Sequence, residues 1–98
     1  MEELAAQGYR IKERLRNYRI DEEDIDLLVV AEKDGAEEHF LVEVKVKPLH
    51  SDVGIVLSKA DLYEARTGVR PRPVLAGVWV GKEAEAYARS RGVEVVKL

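Results

Sequence analysis

Asp26, Glu43 and Lys45 are the residues of this chain whose types and spacing could do chemistry. Two carboxylates brought together offer hard oxygen ligands to a divalent cation, and a lysine beside them can orient the water that the cation acidifies. Whether the three meet depends on the strands that carry them. In "FLVEVKVKPLHSD" (40–52), Phe40, Val42, Val44 and Val46 alternate with Leu41, Glu43, Lys45 and Lys47. The alternation predicts a strand with its valines turned into the core and its acid and lysines on the other face.

The segment before it, "DIDLLVVAE" (24–32), predicts a partner strand, with "KDGAEE" (33–38) as the connecting loop around Asp34-Gly35. With that six-residue loop, Glu32 faces His39, Leu28 faces Glu43 and Asp26 faces Lys45. Even positions of the first strand then share a face with odd positions of the second, so Asp26, Glu43 and Lys45 fall together. Diagonal neighbours in such a ladder lie roughly 7–8 Å apart, within reach of one cation for both carboxylates.

The remaining elements form the scaffold. "EELAAQ" (2–7) predicts a short helix closed by Gly8, and the stretch from Tyr9 to Arg16 alternates as a strand. Ser51 or Asp52 caps a helix over 53–67 ending at Gly68, "PVLAGVWV" (73–80) predicts a buried strand, "KEAEAYARSR" (82–91) a helix, and "VEVVKL" (93–98) a final strand. The fold expected is α/β, a mixed sheet with an antiparallel meander followed by two strand–helix–strand units.

At 98 residues and 46% hydrophobic the chain reads as one domain over residues 1–98, its first helix cut short or the whole excised from a longer protein. With no cysteine and two separated histidines, thiolate chemistry and Cys/His metal sites are excluded, so any metal takes oxygen ligands. No apolar run reaches membrane-span length and the first residues lack signal-peptide character, so a cytoplasmic location is expected. The 36% charged composition is compatible with a thermophilic source.

A net charge of −3 argues against indiscriminate nucleic-acid binding, yet basic residues cluster early in the chain. Arg10, Lys12, Arg14 and Arg16 would line one face of a strand and either track DNA phosphates or blunt a sheet edge against aggregation. Lys59 and Tyr63, one helical turn apart, either lie beside the site and touch DNA or serve packing and solvation. His50 and Asp52 read as loop and helix cap, and Trp79 as core. "GVWVGK" (77–82) is one residue short of a P-loop and lacks the hydroxyl residue after Lys82.

In the order of its elements, and in Asp26 followed by Glu43-Val44-Lys45, the chain resembles the PD-(D/E)XK nuclease superfamily, its uncharacterised archaeal members in particular. "SKADLYEARTG" (58–68) and "VEVVKL" extend the likeness over nearly the whole length. The resemblance implies a restriction-endonuclease-like core that cleaves DNA phosphodiesters with Mg²⁺ or Mn²⁺. It implies Asp26, Glu43 and the Val44 carbonyl as metal ligands and Lys45 as the water-activating residue. Cutting both strands of a duplex would call for a homodimer. Active members carry a further Glu on the first helix, where this chain offers Glu2 and Glu3, and Ile25 stands where Pro is usual. The alternative is a catalytically silent module that keeps the fold for assembly or DNA binding.

Overall fold

A computed structural model describes the backbone of residues 2–98 and the side chains from Leu4 onward, so Glu2 and Glu3 lie outside the described side chains. A short helix α1 (Glu2–Ala6) precedes three long strands, β1 (Arg10–Ile20), β2 (Glu23–Lys33) and β3 (Ala36–Lys45). Helix α2 (His50–Thr67), β4 (Arg72–Gly77), α3 (Lys82–Ser90) and β5 (Glu94–Lys97) complete the chain. The strands make one sheet in chain order, antiparallel from β1 to β3 and parallel from β3 to β5. This is the α/β mixed sheet that the sequence leads one to expect.

The β2–β3 hairpin turns on two residues rather than six. Asp34 and Gly35 have φ of 53° and 80°, the two positive values that a type I′ turn requires. Pairing therefore runs on to Lys33↔Ala36, and the ladder slips two residues from the expected register, with Leu28 opposite Leu41 and Leu27 opposite Val42. A slip of two preserves the parity of the pleat, so Asp26 and Glu43 stay on one face.

That face is covered by helices. Val53, Val56, Ala60 and Tyr63 recur at helical spacing along α2 and pack with Ala88 of α3 onto Ile25, Leu28, Leu41 and Leu75. Helix α2 begins earlier than expected, with Leu49 as N-cap, and the Asp52 carboxylate accepts the Leu49 amide at 2.8 Å. The opposite face has a thinner cover: Leu4 of α1 lies over Val29, Ala31, Phe40, Val42, Val74 and Ala76.

Two departures from expectation lie at this end of the sheet. Val42 is buried, but Val44 and Val46 are 46% and 69% exposed, because the apolar side of β3 continues past the reach of α1. Trp79, expected in the core, is 70% exposed. Strand β4 ends at Gly77, after which the amides of Val78 and Trp79 both donate to the Val46 carbonyl and turn the chain off the sheet. Among the described residues no helix is long and apolar enough to cross a membrane.

Candidate active site at the divergence of two strands

The main-chain ladder between β2 and β3 stops at Leu27↔Val42. One step further, side chains take over the hydrogen bonding. The Asp26 amide donates to Glu43 Oε2 at 3.0 Å, and the Val44 amide donates to Asp26 Oδ2 at 2.8 Å. Each carboxylate is thus fixed by the strand that carries the other. The strands can part here without stranding an amide in the protein, and two acids come side by side on the helix-covered face.

Glu43 is 3% exposed and is the buried charged residue among those described. A carboxylate removed from water needs a counter-charge. Lys59 of α2 supplies it, with Nζ 2.8 Å from Glu43 Oε1, and the same ammonium donates to the Asp24 carbonyl. Lys59 is therefore built into the site and does not present its charge as a surface contact. Its place is legible in hindsight: it lies one turn beyond Val56 and one turn before Tyr63, at the margin of the buried α2 stripe.

Lys45 keeps the expected face but points elsewhere. Its ammonium bonds neither Asp26 nor Glu43; its ion-pair partner is Asp52, at 4.0 Å, and its side chain is 42% exposed. Asp52 thus serves two groups, capping α2 through one oxygen and facing Lys45 with the other.

Tyr63 belongs to the core. Its hydroxyl meets His39 Nδ1 at 2.5 Å, and His39 Nε2 lies 3.1 Å from Glu37 Oε1. Burial, aided by Tyr18, Glu13 and Glu37, pushes the hydroxyl above its ordinary range, so Tyr63 stays neutral and offers no surface to DNA. The Glu37–His39–Tyr63 chain was not foreseen, since its members come from two elements whose packing no local pattern reveals.

The basic stripe of β1 does not lie on one face. A bulge at Lys12, between the pairs Ile11↔Ala31 and Glu13↔Val30, reverses the alternation. Ile11 accordingly packs on the α1 side and Leu15 on the α2 side. Arg10 and Lys12 are spent on Glu32 (2.8 Å) and Glu37 (2.9 Å). Arg14 and Arg16, beyond the bulge, are exposed and make no ion pair among the described residues.

No protein-family model and no curated protein matches the chain. Solved structures do. A repair endonuclease from Pyrococcus abyssi superposes with a TM-score of 0.71 at 22% identity, over 99% of this chain and 41% of that one. EndoMS in a complex with double-stranded DNA gives 0.70 at 20% identity over 93% and 36%, and EndoMS in its apo form 0.62 at 17% over 93% and 38%. The chain spans about two fifths of the length of these solved endonucleases, and it shares their nuclease fold.

Proposed function

We propose that the chain is a PD-(D/E)XK-type nuclease domain that hydrolyses DNA phosphodiester bonds with Mg²⁺ or Mn²⁺ at Asp26 and Glu43. The observation that carries this reading is the cross-braced carboxylate pair at the end of the β2–β3 ladder, on a fold held in common with solved repair endonucleases.

The donor set fits a hard cation. Asp26 Oδ1 accepts no hydrogen bond among the described residues, and Glu43 Oε2 keeps a lone pair beyond the one given to the Asp26 amide. Among the described residues no third His, Cys, Asp or Glu joins the pair. That suits an ion that retains several waters and takes one or two carboxylates plus phosphate oxygens. Asp26, Glu43 and the Val44 carbonyl would hold it. When bound, the ion supplies charge stabilisation at the phosphate and acidifies a water. Lys45, half-exposed, orients that water; Lys59 holds Glu43 in place. Arg14 and Arg16 supply charge for phosphates of the DNA.

The catalytically silent reading is favoured by one observation: Lys59 already neutralises Glu43, and the Lys45 ammonium leans to Asp52. Incubating the full-length protein with supercoiled, linear, single-stranded and branched DNA in Mn²⁺ or Mg²⁺ separates the two. Cleavage of at least one substrate is expected, falling by about 100-fold or more in Asp26→Asn and Lys45→Ala while Lys45→Ala still binds DNA. Absence of cleavage, or a Lys45→Ala protein that cuts as well as the parent, decides for the silent module.

A further inference from the structure

Trp79 is the single tryptophan of the chain and lies 70% exposed. No ring or cation stacks on it among the described residues. A large aromatic surface left in water is costly to keep without a purpose, and here the chain spends two main-chain hydrogen bonds on fixing its position. The Trp79 amide donates to the Val46 carbonyl at 2.8 Å and the Val78 amide to the same oxygen at 3.1 Å.

Its location is specific. Lys45 and Gly77 are partners across β3 and β4, and the carbonyl that holds Trp79 belongs to Val46, the residue that follows Lys45. Val46 and Val78, 69% and 48% exposed, flank it. A cavity of about 640 Å³ opens between the β3–α2 loop, which follows Val46, and the start of α3, which follows Trp79; Lys47, His50, Lys82 and Glu83 are among its lining residues. Lys47 and Lys82 are exposed and make no ion pair among the described residues. In a chain of net charge −3, the loops that follow Lys45 and Gly77 thus bring an exposed aromatic ring and two lysines to the end of the sheet where β3 carries Lys45.

We infer that Trp79 is a stacking platform for an unpaired DNA base next to the scissile phosphate, with Lys47 and Lys82 taking neighbouring phosphates. The inference rests on the endonuclease reading for the identity of the strand. Every base has a π-face, so a single ring can hold any nucleotide that leaves its pair, and the flanking lysines follow the backbone. The substrate class is then DNA with a single-stranded or unpaired segment at the cut.

The lone tryptophan reports directly. In chelator, without cleavage, titration with a short oligothymidylate quenches Trp79 emission, and a blunt duplex of equal length quenches it far less. Trp79→Ala binds the oligonucleotide about tenfold more weakly with an unchanged salt dependence, and Trp79→Phe retains most of the affinity. Lys47→Ala and Lys82→Ala each lower the salt slope by about one. The platform is overturned if labelled oligonucleotide fails to bind, binds without change in emission, or binds Trp79→Ala as well as the parent. It is equally overturned if only vesicles of anionic phosphatidylglycerol, or protein concentration alone, shift the emission. Quenching by a protein that cuts no DNA sustains the platform and removes the nuclease reading; cutting without quenching removes the platform alone.

Discussion

The state of Glu43 turns on Lys59. With both side chains sheltered and 2.8 Å apart, removing the ammonium leaves a carboxylate in the core without its counter-charge. Lys59→Met should cost about 3–5 kcal/mol in urea unfolding, and adding Glu43→Leu should return much of the loss, because the paired deletion removes the stranded charge. Survival of Lys59→Met at parental stability would mean that water reaches Glu43. Spacing along the chain put Asp26, Glu43 and Lys45 on one face, and because parity withstands a register slip of two, Asp26 still meets Glu43, while the Lys45 ammonium turns to Asp52. Which lysine touches Glu43 is set by how α2 lies over the sheet, and that angle has no signature in the local pattern.

At the scale of elements, β3 and β4 are locked by a close approach. Gly77 pairs with Lys45, and a Cβ added there would stand 2.5 Å from Pro48 Cγ and 2.6 Å from Cδ. Pro48 is buried and cannot swing aside. Gly77→Ala should therefore destabilise by about 1–3 kcal/mol in denaturant melts and displace the turn that follows Lys45. The strands and helices themselves were legible from alternation, Asp-Gly and the glycine caps. Less legible was how far each layer extends. Val44 follows the same alternation as Val42, yet the short α1 does not reach it, and "PVLAGVWV" reads as one apolar strand although the sheet ends at Gly77.

Across the whole molecule, one polar chain crosses the sheet on its α1 side. The Tyr9 hydroxyl donates to Glu38 Oε2 at 2.7 Å, Arg72 donates to the same oxygen at 3.0 Å, and its other nitrogen reaches Glu94 at 2.6 Å. Residues before β1 and on β3, β4 and β5 are tied together. The Tyr9 hydrogen bond, with Arg72 behind it, holds the Glu38 carboxyl below its ordinary 4.5. A depressed carboxyl stabilises the fold above that ordinary value and ceases to do so as pH falls through the lowered one. Thermal melts should show Glu38→Gln less stable than the parent near neutrality, with the gap closing progressively below pH 4.5. A gap that persists unchanged into acid would assign the network no ionic contribution.

Because the strands pair in the order in which they are written, translation itself has a bearing on the carboxylate site. A nascent chain whose residues up to Lys45 have left the ribosome can close the β1–β2–β3 meander and bring Asp26 against Glu43, since every contact needed is then outside. It lacks α2, and with it both the apolar stripe and the ammonium of Lys59. Glu43 therefore emerges facing water and is enclosed only when the next helix emerges in turn and settles over it. The burial of the site's central acid is a late event, timed by the ribosome rather than by the hairpin that presents it.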